Sequence, residues 1–305
     1  MEKWDILILG AGCAGLTAGL YAARAGKRTL IVENKLPGGQ AALTREIQNY
    51  PGLPGIDGVL LTQRMAQQAQ DAGAVLRCTG VERIQLEQKR VDTAAGAFCA
   101  DAVILAVGAV PRRLGIPGEE RFCGHGVSYC ASCDGFFYRN QEVYVIGGGN
   151  SAGEEALHLA ELARRVHVLV RRDTLRCEAA IADRLIRHPN IQLEYNRALR
   201  EIQGEDKIEA LLVENTQSGQ CTSVPAAGAG VFIFAGYRPA TDPFAGQLPV
   251  DENGYLLTNE QLETALPGVF AAGDVRHKGL RQIVTAVSDG AIAAQGACKY
   301  LSGML

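Results

Sequence analysis

The sequence predicts an α/β protein, and two similar stretches are the main reason. An apolar run at residues 5–9 leads into Gly10-Ala-Gly-Cys-Ala-Gly15, and another at residues 142–146 leads into Gly147-Gly-Gly-Asn-Ser-Ala152. A small-residue helical segment and a further apolar run follow each loop, which is the strand–loop–helix–strand order of parallel sheets. We therefore predict two Rossmann-like three-layer dinucleotide-binding domains.

Two linkers containing Pro and Gly indicate how these domains are arranged. One linker lies at residues 111–118 and the other at 238–243. After the second linker, residues 268–274 form another apolar run that ends in an acid, which suggests a strand returning to the first domain. We therefore predict that the second domain is inserted in the first. The first predicted domain is at 1–114 and 243–305, and the inserted domain is at 115–242.

The remaining elements follow from hydrophobic periodicity and from Gly/Pro breaks. The predicted elements are, in chain order, strand 5–9, helix 16–25, strand 29–32, helix 59–72, a small β-layer at 74–78, 81–86 and 97–100, strand 103–109, strand 142–146, helix 153–163, strand 166–170, an antiparallel meander within 190–224, strand 231–236, strand 268–274 and helix 280–301.

Composition excludes several classes of function. The 305 residues carry a net charge of −3, so the chain lacks the basic surface expected of a nucleic-acid-binding protein. No apolar run reaches the ~18 residues that a membrane-spanning helix needs. Nine cysteines form an odd, scattered set, unlike the framework of a small secreted domain. We therefore expect no nucleic-acid or membrane partner and a reducing, cytoplasmic setting.

The first glycine-rich loop has the complete context of a dinucleotide site. Glu33 ends the second strand, about 20 residues after Gly10-x-Gly12-x-x-Gly15. The glycines allow a pyrophosphate to approach the helix N-terminus, and the acid can accept hydrogen bonds from ribose hydroxyls. The alternative interpretation is a tight strand–helix turn without a ligand.

The second loop differs in the charge that follows its second strand. Arg171 and Arg172 stand where the acid is expected, with Arg176 a few residues later. Cationic side chains at this position favour the 2′-phosphate of NADP over plain NAD. The alternative interpretation is a solvated basic edge.

Cys130-Ala-Ser-Cys133 lies between the two loops, and Asp134 follows it directly. Such a dithiol stores two electrons reversibly, because its thiolate is the nucleophile in disulfide exchange. Asp134 is a candidate acid/base, or alternatively an ordinary helix-start residue. A CxxC also occurs in zinc sites, and together with Cys123 and His125 it could supply four ligands. That interpretation leaves both nucleotide loops unexplained, so we expect no metal.

These motifs together resemble the low-molecular-weight thioredoxin reductases over the whole chain. The matching motifs are Gly10-x-Gly12-x-x-Gly15, Gly38-Gly-Gln40, Asn49-Tyr-Pro-Gly52, Cys130-Ala-Ser-Cys133-Asp-Gly-Phe-Phe137, Gly147-Gly-Gly-Asn-Ser151, Arg171-Arg172…Arg176 and Gly273-Asp274…Arg281-Gln282. The resemblance implies a homodimeric FAD enzyme that uses NADPH to reduce the disulfide of thioredoxin. One departure is Val170, which stands where His often precedes the arginine pair.

The resemblance also assigns site residues. It implies that Cys130, Cys133 and Asp134 are catalytic, with either cysteine able to face the flavin. FAD would be held by Gly10, Gly12, Ala14, Gly15, Glu33, Gly39, Gln40, Asn49, Gly108, Asp274, Arg281, Gln282 and Ile283. NADPH would be held by Gly147, Gly149, Asn150, Ser151, Arg171, Arg172 and Arg176. Phe136 and Phe137 match an aromatic pair near the docking surface, although one of them could instead lie in the core.

The implied reaction is a relay in which the flavin links hydride transfer from NADPH to reduction of the thiol pair. The nearest alternative is a similar flavoprotein that acts on another disulfide or dithiol substrate, such as a dithiol oxidase or a ferredoxin-linked reductase.

Overall fold

A computed structural model describes residues 2–44 and 47–303 of the chain. The chain forms two compact units. The first unit contains Met1–Val110 and Arg238–Leu305, and the inserted unit contains Pro111–Tyr237. Where the chain passes from one unit to the other, its two connecting segments pair as short strands.

The described strands and helices are, in chain order, β1 (Glu2–Leu9), α1 (Cys13–Arg24), β2 (Thr29–Glu33), α2 (Gly58–Asp71), β3 (Val75–Cys78), β4 (Val81–Gln85), β5 (Arg90–Thr93), β6 (Gly96–Leu105), β7 (Ala109–Pro111), β8 (Val127–Ser128), α3 (Ala131–Asp134), β9 (Glu142–Ile146), α4 (Asn150–Ala160), β10 (Arg165–Val170), α5 (Ala179–Arg187), β11 (Ile191–Tyr195), β12 (Arg197–Gln203), β13 (Ala210–Asn215), β14 (Cys221–Pro225), β15 (Gly230–Ile233), β16 (Tyr237–Pro239), β17 (Val269–Ala271) and α6 (Ile283–Leu301).

The first unit is built on a sheet of order β3-β2-β1-β6-β5-β4, with β17 also paired to β6. Strands β1, β2, β3, β6 and β17 are parallel, whereas β4 and β5 extend the sheet as antiparallel strands. Ile6–Leu9 are buried on both faces of this sheet, which explains their uninterrupted apolar run. One face packs against α1, α2 and α6, and the other packs against β4, β5 and residues 244–256.

Three predictions for this unit were wrong in detail. Residues 97–100 and 103–109 were predicted as separate strands, but residues 96–105 form the single strand β6, with exposed Asp101 at the position of the predicted break. The predicted strand 74–78 joins the parallel sheet beside β2 and is not part of a separate β-layer. Strand β5 was not predicted, because only Val91 and Thr93 of its four residues are buried.

The inserted unit has three layers. Its central sheet has the order β11-β10-β9-β15-β8, and all of its strands are parallel. Val143 and Val145 of β9 face α4 and α5, whereas Tyr144 and Ile146 face the antiparallel strands β12, β13 and β14. This alternation places one hydrophobic core on each side of the sheet.

The antiparallel meander predicted for residues 190–224 was partly wrong. β11 is not part of the meander, because it pairs in parallel with β10. Of the four strands β11–β14, β12, β13 and β14 form the antiparallel sheet. Helix α5 was not predicted, and just two of its side chains, Ile181 and Leu185, are buried. The predicted fold class, two Rossmann-like domains with the second inserted in the first, is confirmed.

Candidate dinucleotide and disulfide sites

The first glycine-rich loop brings α1 very close to the sheet. Gly10 has φ 102°, and a Cβ here would lie 2.4 Å from the carbonyl oxygen of Ala106. A Cβ on Gly15 would lie 1.8 Å from the carbonyl oxygen of Gly10. Helix α1 begins at Cys13 with Gly12 as its N-cap, and no side chain caps its first turn. The N–H groups of this turn are therefore available to an anion such as a pyrophosphate.

Glu33 and the Gly38-Gly39 segment lie against the same loop. The Ala11 N–H donates to Glu33 Oε2 over 2.8 Å, and the Gly38 N–H donates to the Ala11 carbonyl oxygen over 2.8 Å. A Cβ on Gly39 would lie 3.1 Å from the Cα of Gly12. Three predicted FAD-binding positions, Gly12, Glu33 and Gly39, are therefore brought together by backbone contacts.

Further predicted residues lie at the edge of the sheet formed by the carboxyl ends of its parallel strands. Gly10 follows β1, Glu33 ends β2, Gly108 follows β6, and Asp274 follows β17. In parallel α/β sheets, ligands bind at the carboxyl ends of the strands. The edge of this sheet therefore has the position and the glycine-rich loop of a dinucleotide site.

Two buried polar atoms at this edge make no hydrogen bond to any described residue of the chain. Asp274 Oδ1 and Arg281 Nε are buried without a hydrogen bond, and burial raises the pKa of the Asp274 carboxyl. The Arg281 guanidinium stacks on Tyr255, 3.7 Å from the ring centre. Asn49 donates to Gln282 Oε1 over 3.0 Å, and Gln282 also caps α6. Buried polar groups are normally satisfied, so these two atoms fit a site that receives a polar ligand.

A buried ionic cluster supports the Asp274 loop, and sequence reasoning missed it. Asp289 Oδ2 accepts hydrogen bonds from the Gly273 N–H (3.0 Å), Arg276 Nε (2.9 Å) and Lys278 Nζ (2.9 Å). Lys278 Nζ also lies 3.8 Å from Asp274 Oδ1. Burial alone would raise the pKa of Asp289, but the two cations lower it below its usual value. Nothing in the local pattern identifies these residues, because Asp289 lies eleven residues beyond Lys278 within α6.

Three further predicted cofactor residues have the following surroundings. The Ala14 side chain is buried, so it could contact a ligand only through its backbone. Ile283 packs in a small cluster with Ile47 and Ile56. Gln40 is exposed in a 3-10 helix at Gly39–Leu43.

The inserted unit contains a cleft of about 380 Å³ at the carboxyl ends of β9, β10 and β15. The loop Gly147–Ala152 lines it. Gly147 has φ 152°, and a Cβ there would lie 2.5 Å from the carbonyl oxygen of Phe234. Gly149 caps α4, and a Cβ at this position would meet nothing within 4 Å. The loop is therefore tightly packed at its start and open where α4 begins, as an anion site requires.

The three predicted arginines all line this cleft. Arg171, Arg172 and Arg176 are exposed, and within the described part of the chain none of them forms a salt bridge. The Asn196 N–H donates to the Arg172 carbonyl oxygen, and the Arg176 N–H donates to the Gly148 carbonyl oxygen. The backbone carrying the arginines is thus fixed while their guanidinium groups are free to bind an anion.

Asn150 has a structural contact that sequence reasoning missed. Its Nδ2 donates to Glu178 Oε1 over 3.0 Å, and the Glu178 N–H donates to Asn150 Oδ1 over 2.8 Å. These bonds attach the segment after the arginines to the start of α4. Ser151 lines the cleft beside it.

The two CxxC cysteines form a disulfide at the start of a short helix. Cys130 is the N-cap of α3, and its Sγ accepts the Cys133 N–H over 3.1 Å. Cys133 is exposed, and Asp134 beside it is half-buried. Phe136 and Phe137 are both exposed, at 66% and 71%, so neither side chain of the aromatic pair lies in the core.

A carboxyl group behind α3 was not identified from the sequence. Glu155 of α4 accepts a hydrogen bond from the Ala131 N–H, between the two cysteines, while its Oε2 is buried without a hydrogen bond to any residue that the structure describes. Burial, with a smaller contribution from Glu154, raises the pKa of Glu155 from 4.5 to about 7. The backbone between the two cysteines is therefore bonded to a carboxyl whose pKa is raised by burial.

Across residues 2–44 and 47–303, no three His, Cys, Asp or Glu side chains are grouped as a metal ion would require. No helix in these same residues combines the length and apolarity needed to cross a membrane.

The fold and the sites define the class of protein: two Rossmann-like domains, one of which carries a CxxC disulfide. The family model described as pyridine nucleotide-disulphide oxidoreductase matches residues 4–290. The chain belongs to the low-molecular-weight thioredoxin reductase family within that class.

Individual relatives match over almost the full length. A thioredoxin reductase of Treponema pallidum (strain Nichols) is 44% identical over 304 residues, covering 98% of this chain and 97% of the relative. The crystal structure of Lactococcus lactis thioredoxin reductase is 41% identical, with a TM-score of 0.94 and coverage of 99% and 100%. The crystal structure of T. acidophilum thioredoxin reductase is 31% identical, with a TM-score of 0.90 and full coverage of both chains.

Proposed function

We propose that this protein is an NADPH-dependent thioredoxin reductase. Electrons would pass from NADPH, through FAD, to the Cys130–Cys133 disulfide and then to the disulfide of thioredoxin. The observation that carries the proposal is the accessible CxxC disulfide, which lies in the same unit as a cleft lined by Arg171, Arg172 and Arg176.

The first unit is the proposed FAD-binding domain. The N–H groups at the start of α1 suit the pyrophosphate, and Glu33 suits the adenosine ribose. Asp274 and Arg281 offer the buried atoms that make no hydrogen bond within residues 2–44 and 47–303. FAD, when bound, supplies a carrier that accepts a hydride and passes electron pairs to a disulfide. The residues that would hold it are those predicted, with the Lys278–Asp289 pair fixing the loop that carries Asp274.

The inserted unit is the proposed NADPH-binding domain. The assignment of residues 1–114 and 243–305 to FAD binding and of residues 115–242 to NADPH binding stays a prediction. Arg171, Arg172 and Arg176 would neutralise the 2′-phosphate through charge-assisted hydrogen bonds. A plain NADH lacks this group. We therefore propose NADPH as the electron donor.

The chemistry of the dithiol follows from thiol–disulfide exchange. Reduction of the Cys130–Cys133 bond takes two electrons and two protons and yields two thiols. One of these thiols, as the thiolate, attacks the thioredoxin disulfide, and the second resolves the mixed disulfide, which leaves thioredoxin reduced and Cys130–Cys133 oxidised. Asp134, next to Cys133, is the proposed group that exchanges a proton with a thiol.

A homodimer and a cytoplasmic location complete the proposal. Light scattering coupled to size-exclusion chromatography tests the dimer: a mass near 65 kDa supports it, and a mass near the 32.5 kDa of one chain contradicts it.

A turnover assay tests the proposed function. The purified protein, supplied with FAD, is given NADPH or NADH and one of three acceptors: thioredoxin, a small disulfide or oxygen. We expect rapid oxidation of NADPH with thioredoxin, much slower oxidation of NADH, and loss of thioredoxin reduction in Cys133→Ser. Turnover with a small disulfide but not with thioredoxin would favour the alternative of another disulfide substrate.

A further inference from the structure

The cleft of the inserted unit contains a further arginine that the nucleotide-loop pattern does not reveal. Arg197 is the first residue of β12, in the antiparallel layer, and it lines the cleft together with Arg171, Arg172 and Arg176. It lies outside the strand–loop–helix–strand segment that predicts a nucleotide site. Its place in the cleft arises from packing of the two layers.

The backbone holds Arg197 close to Arg172. The N–H of Asn196, the preceding residue, donates to the Arg172 carbonyl oxygen over 3.0 Å. Asn196 has φ 56°, and its own carbonyl oxygen accepts the Thr216 N–H over 3.0 Å. This left-handed turn between β11 and β12 is therefore fixed on both sides, and Arg197 follows it at the end of β10.

The Arg197 side chain is half-buried, and in residues 2–44 and 47–303 its guanidinium forms no salt bridge or side-chain hydrogen bond. Arg200, three residues along the same strand and at the same cleft, has its guanidinium held by Glu214. A partly desolvated charge without a partner is unfavourable, and a bound anion would compensate it. The contrast between the two arginines makes Arg197 the one available to a ligand.

We propose that Arg197 is a fourth cationic contact to the 2′-phosphate of the nicotinamide nucleotide. The proposal rests on the function proposed above and deepens it by naming a specificity-determining residue. The 2′-substituent of a dinucleotide lies at the end of the second strand of the motif, which here is β10. Arg172 follows that strand, and its carbonyl oxygen accepts the N–H of Asn196, the residue before Arg197. The pyrophosphate belongs at the Gly147–Ala152 loop.

Binding of two adenosine fragments separates the possible roles of Arg197. The full-length protein is titrated with 2′,5′-ADP, which carries the 2′-phosphate, and with 5′-ADP, which lacks it. Isothermal titration is done on the wild type and on Arg197→Ala, Arg200→Ala and Arg171→Ala. We expect Arg197→Ala to weaken 2′,5′-ADP binding at least tenfold and 5′-ADP binding less than twofold, because a charge-assisted contact is lost.

Conservative and control variants refine the result. Arg197→Lys keeps the charge without the planar fork, so we expect a smaller loss of 2′,5′-ADP binding than in Arg197→Ala. Arg200→Ala should change the two affinities by less than twofold. Retained 5′-ADP binding shows that the Arg197→Ala protein is folded.

Three outcomes would overturn the inference or its foundation. Equal losses for both fragments in Arg197→Ala would mean that the side chain supports the adenine or the fold. A loss in Arg171→Ala but none in Arg197→Ala would refute the role of Arg197 alone. A wild type that binds both fragments equally, together with an unaffected Arg171→Ala, would refute the proposed NADPH specificity itself.

Discussion

Replacing Glu155 by Gln should stabilise the inserted unit, and the gain should grow as the pH rises. The carboxyl is buried behind the CxxC helix, and its pKa is raised from 4.5 to about 7. A raised acid pKa means that the folded protein holds a proton that the unfolded chain releases. The contribution of the Glu155 carboxyl to the free energy of unfolding is fully present below pH 4.5 and is lost as the pH rises to about 7.

The size of the effect follows from that shift. At about 1.4 kcal/mol for each pH unit, a carboxyl shifted from 4.5 to about 7 costs the folded state roughly 3 kcal/mol above pH 7. About half of this cost is already present at pH 5.5, so the advantage of Glu155→Gln over the wild type should increase by about 2 kcal/mol between pH 5.5 and pH 8. Any constant effect of the amide cancels, because only the change with pH is compared.

Urea unfolding at the two pH values measures this difference. Far-UV circular dichroism follows both units, whereas fluorescence of the single tryptophan, Trp4 in β1, follows the first unit alone. We expect the pH-dependent gain in the circular dichroism transition and not in the fluorescence transition. Glu209→Gln, at an exposed position of the inserted unit, serves as the control. A gain that is equal at both pH values, or that shrinks as the pH rises, would refute the reasoning.

Three further perturbations have definite expected outcomes. Gly15→Ala should prevent α1 from packing on the sheet, because its Cβ would lie 1.8 Å from the Gly10 carbonyl oxygen. Gly12→Ala is the control, since a Cβ there would meet only the Gly39 Cα at 3.9 Å. Thermal unfolding should show a large decrease in Tm for Gly15→Ala and a small one for Gly12→Ala. Lys278→Met should cost about 1.5–3 kcal/mol in urea unfolding, because buried Asp289 loses one of its two cations and keeps Arg276. It should also weaken FAD binding in titrations, because Asp274 loses its cationic neighbour; unchanged values for both would contradict the role assigned to Lys278. Phe137→Ala should lower kcat/KM for thioredoxin but not for a small disulfide, because this exposed ring is available to a protein partner. Equal losses of kcat/KM with both substrates would indicate a structural role.

The sequence predicted the elements whose pattern is local. The uninterrupted apolar runs of β1 and β9, each followed by a glycine-rich loop, required no knowledge of tertiary contacts. Helix α5 escaped prediction because its N-cap, Glu178, makes no side-chain cap and its apolar face consists of two buried residues. The place of β11 depended on its pairing with β10, which no local pattern encodes.

The same distinction applies to the sites. The glycine-rich loops, the arginine pair and the CxxC are motifs of fixed spacing, so the sequence could name them. Glu155 accepts a hydrogen bond from Ala131, 24 positions earlier, and Arg197 is placed by the bond of its neighbour Asn196 to Arg172, also 24 positions earlier. These contacts arise only when helices and layers pack. The pKa of Glu155 and the unpaired state of Arg197 are likewise consequences of burial, which the sequence does not specify.

The most direct test of the account is a thiol count after a single reduction. The oxidised protein with bound FAD is mixed without oxygen with one equivalent of NADPH and alkylated, and the peptide containing residues 130–133 is weighed by mass spectrometry. We expect two new alkyl groups on Cys130 and Cys133, and their loss when oxidised thioredoxin is added before alkylation. A flavin that is reduced while Cys130 and Cys133 stay bonded would contradict the proposed path of electrons.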